Sequence, residues 1–313
     1  MPLRFNKKLL LAKEESVAGT AEVLAAADAI LAGNIEITPL AGDTVTREVE
    51  KLHFGRDQDI HVNAHQTISF RVELAGSGDN DTAPAWGKLL LGCGFAQIIT
   101  TNTNVAYTPV SAGEKTLTIG LNIDGQLFTL SGARGTFQIE AGANQIPYLN
   151  FTFTGKYTAP SSAAAVAGAN FNAFQTPLAG SNANTPTFNL FGFANLALST
   201  YSYEHGNEVV HRELIGANPE VIITNRAPSF SVTMDAPRFA AQNFVDLAKT
   251  SHSGSLRIIH GVGAGKVVQI DALKVQAAAP TISEADGAMQ MQLTLNALPS
   301  AAAGNDEITI ITS

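Results

Sequence analysis

The sequence contains a glycine-rich stretch that ends in lysine, Gly261–Lys266, and such a stretch can bind phosphate through backbone amides. The phosphate-loop pattern requires glycine at position 260 and serine or threonine at position 267. The chain has His260 and Val267 at these positions. Because both ends of the pattern are missing, we interpret the stretch as a turn between two strands.

Histidines and carboxylates provide no better candidate for a reactive site. His61 and His65 are four positions apart, so they share one face of a strand and could bind a metal, but no third ligand lies in register. The segment Asp79–Asp81 lacks the spacing of a calcium loop and is typical of a turn. The motifs Gly-x-Ser-x-Gly and His-Glu-x-x-His do not occur. The sequence therefore predicts no catalytic residue, no metal, no cofactor and no enzymatic activity.

Cysteine usage, apolar runs and charge limit the remaining classes of protein. Cys93 is the only cysteine, which excludes a disulfide framework and a cysteine metal site. The apolar run Leu9–Ala12 is too short for the core of a signal peptide, so we expect no membrane anchor and synthesis in a cytoplasm. The net charge is −8 and lysine and arginine are not clustered, so we expect no specific binding of DNA.

Segments of the first half recur in the same order in the second half, which predicts a duplicated domain. Matched segments are 160 or 161 residues apart at the start of each copy and 139 to 142 residues apart further on. The first copy should therefore contain an extra loop near residues 100–114. The matched pairs are Asn34–Ile37 with Asn195–Leu198, Glu48–Val49 with Glu208–Val209, Ser69–Leu74 with Ser229–Met234, Leu117–Ile119 with Leu256–Ile258, and Phe151–Phe153 with Leu293–Leu295.

Alternation of apolar and polar residues predicts that each copy consists mainly of strands. Thr67–Leu74 alternates with a period of two, and Asp124-Gly125 is a hairpin signal between two further strands. One helix per copy is predicted, at Pro84–Leu91 and Pro237–Lys249. We therefore predict a mainly β fold with two tandem antiparallel β-sandwich or barrel domains, each with one α-helix, plus extended N- and C-terminal arms. The boundaries are an N-terminal arm at 1–33, a first domain at 34–160, a linker at 161–187, a second domain at 188–299 and a C-terminal arm at 300–313.

Two fused β domains without an active site are well suited to building a closed ring. Three chains would supply six similar domains, and joining one sheet of each domain edge to edge would remove the open edges. The polar faces of the strands would then line a channel, whereas ordinary solvated faces are the alternative. The residues predicted to face this lumen are Ser69, Arg71, Glu73, Ser229, Ser231, Thr233, Gln290, Gln292 and Thr294.

The first third of the chain resembles a known family. The segments Leu9–Ser16, Gly19-Thr20, Ala27–Leu31, Asn34–Leu40 and Val45–Glu48 look like the start of a major tail tube protein of long-tailed bacteriophages. The resemblance covers residues 9–95 by motif and the remainder by pattern. It implies tail-tube-like β-sandwich domains with one helix each and, for a duplicated chain, a homotrimer that acts as a pseudo-hexamer. Stacked rings would form the conduit for DNA delivery.

The resemblance also implies contacts and partners. A long loop would contact the next ring, at Gly42–Ile60 in the first copy and Tyr203–Val221 in the second. The implied partners are further copies of the chain, the tape measure protein, the tail terminator and the distal tail or baseplate proteins, with double-stranded DNA passing through without specific binding. The protein would lie in the virion tail after assembly in the host cytoplasm. The implied ring-to-ring residues are Arg47, Glu48, Glu50, Arg56, Asp57, Glu208, His211, Arg212 and Glu213.

Two other functions remain open at the level of sequence. A tube protein of a contractile tail or of a secretion apparatus would share the fold, and a sheath gene beside this one would identify it. A β-sandwich carbohydrate-binding protein or adhesin is disfavoured because the sequence has few clustered aromatic residues on which sugars could stack. A glycan-binding screen would distinguish that class.

Overall fold

The computed structural model describes residues 2–194 and 196–313, so Asn195 of the first matched segment lies outside the described residues. As predicted, the fold is mainly β and antiparallel, with one α-helix in each half of the described chain. The helices are α1 (Gly87–Leu91) and α2 (Phe244–Lys249). The strands of the first half are β1 (Lys8–Glu14), β2 (Ala29–Ile30), β3 (Gly33–Thr46), β4 (Asp59–Glu73), β5 (Phe95–Thr100), β6 (Asn104–Pro109), β7 (Leu117–Ile123), β8 (Gln126–Gly142), β9 (Tyr148–Lys156) and β10 (Ser161–Ser162). Those of the second half are β11 (Thr187–Leu190), β12 (Leu198–Glu204), β13 (Asn207–Arg212), β14 (Glu220–Arg226), β15 (Ser229–Asp235), β16 (Ser253–His260), β17 (Val268–Ala277), β18 (Thr281–Ala285), β19 (Ala288–Ala297) and β20 (Thr309–Thr312).

One eight-stranded sheet crosses both halves of the molecule. Its strand order is β3–β4–β9–β8–β12–β15–β19–β18, and every neighbouring pair is antiparallel. The halves join where β8 pairs with β12, with Ile139 opposite Tyr203 and Glu140 opposite Ser202. Joining of domains edge to edge, which we expected between the domains of a ring, therefore occurs once inside the chain.

Strands β8 and β17 each belong to two sheets. Residues 126–133 of β8 pair with β7 and residues 131–140 pair with β9, and the register shifts between Ser131 and Arg134. Gly132 lies in this shift with a φ of 60°, a left-handed conformation that glycine adopts without steric cost. Strand β17 pairs first with β16 and then with β19. Each half is therefore a sandwich whose two layers share a bent strand.

Two smaller sheets lie behind the eight-stranded sheet. The sheet of the first half has the order β2–β1–β7–β8–β10. The sheet of the second half has the order β11–β16–β17–β20–β6–β5. The hairpin β5–β6 lies near the position of the predicted extra loop. It leaves the first half and extends the smaller sheet of the second half through β20, so it connects the halves a second time.

Apolar side chains at alternate strand positions fill the space between the layers. Phe137, Phe151, Phe153 and Phe230 are at most 1% exposed. The ring centroid of Phe137 lies 5.9 Å from that of Phe151 and 5.7 Å from that of Tyr203, so aromatic packing continues across the junction of the halves. Full burial of a side chain of this kind contributes about 1.5–3 kcal/mol. The core therefore stabilises the junction as well as each half.

Both segments predicted as arms hold a strand that pairs inside the protomer. Strand β1 pairs with β7 along its full length, and Leu10 and Ala12 are at most 1% exposed. Strand β20 pairs with β17 on one side and β6 on the other, and Ile308 and Ile310 are fully buried. The strand of the C-terminal segment is therefore used within the protomer, where its apolar residues cover an edge of the core.

The two helices are shorter than their sequence patterns predicted. α1 begins at Gly87 rather than at Pro84, and α2 begins at Phe244 rather than at Pro237. Asn243 caps the N-terminal end of α2. Its side-chain Oδ1 accepts a hydrogen bond of 3.2 Å from the backbone N–H of Asp246. Phe244 is fully buried, so the short helix packs onto the core of the second half.

Candidate interaction surfaces

The outward face of the eight-stranded sheet is polar from edge to edge, and we call it the polar face. Directly opposite residues of an antiparallel pair share a face of the sheet. Ser231 lies opposite Thr294, and Ser69 lies opposite Thr152, on strands connected through β9, β8 and β12. All nine residues that the sequence predicted to face a lumen lie on the polar face, namely Ser69, Arg71, Glu73, Ser229, Ser231, Thr233, Gln290, Gln292 and Thr294.

Sequence analysis missed the members of the polar face that lie on β8, β9 and β12. Gln138 lies between Asn150 and Glu204, and Glu140 lies between Tyr148 and Ser202. The alternation in Phe137–Glu140 and Tyr148–Thr154 would have revealed them, because every second residue there is apolar and buried. These residues connect the polar positions of the two halves into one surface.

The uncovered part of the polar face is acidic. Its cross-strand pairs include five carboxylates and one guanidinium, which leaves an excess of four negative charges. Arg134 and Lys156 lie on the same face of the sheet but under the hairpin β13–β14, because Arg134 binds the carbonyl oxygen of Val221 and Lys156 lies opposite His65, on which His211 stacks. The guanidinium of Arg71 lies 4.3 Å from the centroid of the Tyr148 ring, so the one cation of the uncovered part is held against an aromatic neighbour. The charged residues of this surface are Glu36, Arg71, Glu73, Glu140, Glu204 and Asp235.

Two hairpins protrude from the same end of the molecule. Strands β3 and β4 are connected by a loop at residues 47–58, and β13 and β14 by a loop at residues 213–219. The segments predicted as extended loops, Gly42–Ile60 and Tyr203–Val221, are thus hairpins with shorter loops at their tips. Leu52, Phe54 and Ile215 lie at these tips and are fully exposed, at 108%, 107% and 108%. Sequence analysis missed them because it selected only charged residues in these segments.

The predicted ring-to-ring residues fall on these hairpins in two groups. Arg47, Glu48, Glu50, Arg56 and Asp57 lie on the loop of the first hairpin, where Arg56 forms an ion pair of 2.5 Å with Asp59. Glu208, His211 and Arg212 lie on β13 and Glu213 follows it, and Arg212 lies 3.5 Å from Glu220 across the hairpin. All of them except His211 and Asp57 are exposed side chains.

His211 differs from its prediction because it is buried inside the protomer. Its ring stacks on that of His65 at 5.1 Å, and its Nδ1 lies 2.7 Å from Oδ1 of Asn63. Burial, followed by the nearby His65, lowers the pKa of His211, so the neutral ring is favoured. His211 therefore connects the second hairpin to the first half and is not available to another ring. A strand pattern alone could not show that this hairpin folds back.

The hairpin β13–β14 lies over the first half, whereas β3–β4 is uncovered. Asn207 donates hydrogen bonds from Nδ2 to the carbonyl oxygens of Cys93 and Gly135, at 2.8 and 2.9 Å. Arg134 donates from Nη1 to the carbonyl oxygen of Val221 at 2.6 Å. On the first hairpin, by contrast, Val45 and Ile60 are 52% and 49% exposed. The two equivalent hairpins thus differ in whether a neighbouring domain covers them.

A buried polar network holds the junction of the halves. Arg226 donates from Nη2 to Oε1 of Glu307 at 3.0 Å, and the hydroxyl of Tyr203 lies 2.7 Å from Nδ1 of His205. The ring of His205 packs between Phe95 and Phe137, with centroid distances of 4.7 and 5.3 Å. Burial, with a further contribution from Arg226, lowers the pKa of His205 to about 3.

Acidification should therefore weaken the fold through His205. Its folded pKa of about 3 is below its ordinary value of 6.5, so the unfolded chain binds the extra proton and stability is lost as pH falls below 6.5. We expect a loss of about 2–3 kcal/mol of unfolding free energy between pH 6.5 and pH 4 from this group. Denaturant unfolding across this range, with His205→Asn as the variant that cannot titrate, measures it. Parallel pH profiles of the two proteins would contradict the assignment.

A cavity of about 570 Å³ opens at the end of the sheet opposite to the hairpin tips. It lies beside the start of β12 and the end of β8, and its lining includes Ala143, Phe188, Leu198 and Tyr201. The buried hydroxyl of Tyr201 has no hydrogen-bond partner among the described residues. Because β12 starts at this cavity and leads into the hairpin β13–β14, cavity and hairpin tip mark the two ends of one protomer.

The described residues contain no helix that is long and apolar enough to span a membrane. Across 2–194 and 196–313, no group of three or more histidine, cysteine, aspartate or glutamate residues is arranged to hold a metal ion. The buried thiol of Cys93 has a pKa raised well above its usual value by desolvation, which keeps it protonated and unreactive.

Comparison with protein families gives one match that covers nearly the whole chain. The family described as phage tail tube protein matches residues 6–298. Comparison with curated proteins gives no match. The matched range begins before β1 and ends after β19, so it includes both halves and the sheet that connects them.

Proposed function

The chain belongs to the phage tail tube protein family, and we propose that three copies close into a ring and that stacked rings form the conduit for DNA delivery. Membership in this family makes the protein a structural component of a phage tail rather than an enzyme. The proposal concerns how the chain builds the tube. It is carried by one observation, the continuous eight-stranded sheet with a polar face, whose edge strands β3 and β18 pair with no further strand among the described residues.

An internal duplication is supported by the pairing pattern. The order β3–β4–β9–β8 in the first half matches β12–β15–β19 followed by β17 and β18 in the second. Glu36 lies opposite Ser69, and Glu204 lies opposite Ser229, so Glu204 is the counterpart of Glu36. The sequence match that aligned Asn34–Ile37 with Asn195–Leu198 is therefore out of register by several residues, although the match at Ser69 and Ser229 fits.

The duplication also changes the bounds of the copies. Strand β11 pairs with β16 as β1 pairs with β7, which makes β1 part of the first copy and β11 the start of the second. Likewise, β10 and β20 each return to pair with the bent strand of their own copy. We therefore propose that the predicted N-terminal arm, the start of the predicted linker and the predicted C-terminal arm are parts of the two domains.

Ring closure would satisfy both free edges of the sheet. In the described part of the chain, no strand pairs with the outer edge of β3 or of β18. Unpaired edges of this kind promote association with further strands. Three copies of the eight-stranded sheet joined through these edges would give a closed barrel of twenty-four strands.

The polar face is the surface that we assign to the lumen. With four negative charges in excess on each chain, three copies would place twelve on the inner surface of a ring. Proteins bind DNA when their lysine and arginine side chains neutralise phosphates and so release the counterions condensed on the DNA. An acidic wall offers no such site. Serine, threonine, asparagine and glutamine make up most of the remainder. Such a wall would let DNA pass without specific binding.

Stacking of rings would use the two ends of the protomer. The exposed apolar tips are at one end and the cavity near Tyr201 is at the other. A contact between different surfaces of identical subunits does not close on itself and therefore propagates along an axis. At the two ends of the tube we place the tail terminator and the distal tail or baseplate proteins, with the tape measure protein inside during assembly. The finished protein would lie in the virion tail after assembly in the host cytoplasm.

Electron microscopy of the purified chain at high concentration tests the proposal. We expect rings with threefold symmetry in class averages, which look approximately sixfold, and tubes made of such rings. The hairpin β5–β6 occurs once per chain and should mark the departure from sixfold symmetry on the outer surface. A chain that stays monomeric at all concentrations, or forms rings with an even number of chains, would overturn the proposal.

A further inference from the structure

The second hairpin, β13–β14, covers a group of basic residues on the polar face. Arg134 lies opposite Thr154, and Lys156 is two residues further along β9. The two cations are therefore diagonal neighbours on one face of the sheet, with Cα atoms about 7–8 Å apart. His65 of β4 lies directly opposite Lys156. Three neighbouring strands thus bring together Arg134, Lys156 and His65, which we call the basic patch.

The two cations of the basic patch bind neutral partners. Nζ of Lys156 donates to the carbonyl oxygen of Gly19 at 2.5 Å. Arg134 donates from Nη1 to the carbonyl oxygen of Val221 at 2.6 Å, and from Nη2 to that of Glu114 at 3.1 Å. Its Nε is buried and has no hydrogen-bond partner among the described residues. Within 2–194 and 196–313, neither cation forms a salt bridge with a carboxylate, so both charges are uncompensated.

The hairpin turns an acidic surface away from the basic patch. Its residues His211 and Val221 lie opposite each other and contact the patch, through a stacked ring and a carbonyl oxygen respectively. Successive residues of a strand alternate in direction, so the neighbouring positions point away from the patch. The exposed charged residues at these positions and in the loop after β13 are Glu208, Arg212, Glu213 and Glu220. The closed hairpin therefore replaces a basic surface with an acidic one.

We propose that the basic patch is a binding site for the phosphates of DNA and that the hairpin β13–β14 is its cover, latched by the stacked rings of His65 and His211. While the cover is closed, DNA meets the carboxylates of the hairpin. When it opens, two uncompensated cations become free to neutralise phosphates and release counterions. The position of the patch beside passing DNA rests on the proposed function, whereas the patch and its cover belong to the single chain.

The geometry of the latch favours two neutral rings. The ring centroids of His65 and His211 are 5.1 Å apart. Asn63 holds both rings, because Nδ1 of His65 lies 2.8 Å from its carbonyl oxygen and Nδ1 of His211 lies 2.7 Å from its Oδ1. Nε2 of His211 is buried and has no partner among the described residues. A proton there would create a buried cationic donor without an acceptor, beside a second imidazole.

The charged groups around His211 make the latch sensitive to pH. The groups that face it from the sheet, His65 and Lys156, are both basic, and Glu213 of its own hairpin is the one acidic neighbour. Burial, followed by His65, lowers the pKa of His211 below its ordinary value of 6.5. The open hairpin therefore binds more protons than the closed one. The closed cover has its full stability above pH 6.5 and loses stability as the pH falls below this value.

Hydrogen–deuterium exchange of the unassembled chain at about pH 7.5 and about pH 5.5 tests the latch. After correction for the intrinsic exchange rate, the amides of residues 207–226 should exchange about tenfold faster at the lower pH. The amides of residues 138–141, at the β8–β12 junction, should keep their protection, which separates opening of the hairpin from loss of the whole fold. The control is His211→Gln, whose amide can still bond to Asn63 but does not titrate, so its hairpin should stay protected at both pH values.

Fluorescence anisotropy of a labelled DNA duplex, with the unassembled chain at low salt, tests the phosphate site. We expect about tenfold tighter binding at the lower pH, with a steep loss as salt is added. The His211→Gln chain should bind weakly at both pH values. The variant Arg134→Gln with Lys156→Gln should still open its hairpin at the lower pH, as measured by exchange, but without the gain in binding.

Each outcome decides a separate part of the proposal. Equal protection of residues 207–226 at both pH values would overturn the latch. An open hairpin without tighter DNA binding, or equal binding by the Arg134/Lys156 variant, would overturn the phosphate site. These results would leave the proposed ring standing. A chain that never forms rings would overturn the proposed function alone, because both measurements use the unassembled chain.

Discussion

Replacing Leu52 and Phe54 with serine should abolish tubes and leave rings intact. Both side chains are fully exposed at the tip of the first hairpin, so their removal costs the protomer no packing. In a stacked tube they would be buried against the next ring, where each contributes about 1.5–3 kcal/mol. The double variant should therefore lose about 3–6 kcal/mol per hairpin contact, repeated three times around each ring. Electron microscopy and sedimentation should show at least a tenfold loss of tube length.

The control for this prediction is Ile98→Ser on β5. Ile98 is about as apolar and is 55% exposed, but it lies on the smaller sheet, away from the hairpin tips. Tubes of normal length are expected from this variant. Ile215→Ser, at the tip of the second hairpin, should reduce tube length in the same direction as the first variant. Normal tubes from the Leu52/Phe54 variant would show that the tips do not connect rings.

Sequence analysis predicted the local elements well because each depends on neighbouring residues. The period of two in Thr67–Leu74 corresponds to the last part of β4. Asp124 and Gly125 have φ values of 44° and 91°, the left-handed pair that a two-residue hairpin turn requires. The nine polar residues of the predicted lumen lie on one face for the same reason: alternation fixes the side of the sheet on which a residue lies.

The features that sequence analysis did not predict depend on contacts between distant segments. Nothing local indicates that β8 bends at Gly132, joins two sheets and then pairs with β12. The path of β20 between β17 and β6 connects residues that are about two hundred positions apart. The burial of His211 follows from the folding back of a whole hairpin onto Asn63. The alternation of apolar and polar residues shows which side chains of a strand face the core. Which other strand it pairs with is set by the packing of the complete core.

The exposed positions form the remainder of the candidate site, and they were the hardest to identify. Leu52, Phe54 and Ile282 are apolar residues on segments whose other residues are polar or charged, so no periodicity distinguishes them from core residues. Only the structure shows that they have no cover within the protomer. In a chain that assembles, such residues are interface positions, and their recognition requires knowing what the folded protomer leaves uncovered.

Reversing the charge of the polar face should make the tube retain DNA. In the variant Glu73→Lys, Glu140→Lys and Glu204→Lys, the uncovered face changes from four negative charges in excess to two positive charges in excess. Lysines on the wall would neutralise phosphates and release counterions, so binding should be strong at low salt and fall steeply as salt is added. Glu140 and Glu204 are exposed and Glu73 is partly exposed, so the fold and the tube should persist.

Assembly in the presence of short DNA duplexes, followed by nuclease treatment and sedimentation, measures where the DNA is held. The lysine variant should sediment with DNA that resists the nuclease, because the tube wall excludes the enzyme from the lumen. Unmodified tubes should sediment without DNA. So should the matched variant Glu73→Gln, Glu140→Gln and Glu204→Gln, which removes the carboxylates but adds no cation. DNA that sediments with the lysine variant yet remains sensitive to the nuclease would place the polar face on the outside of the tube. In that case the smaller sheets, with their exposed Ile98 and Ile99, would have to form the inner wall.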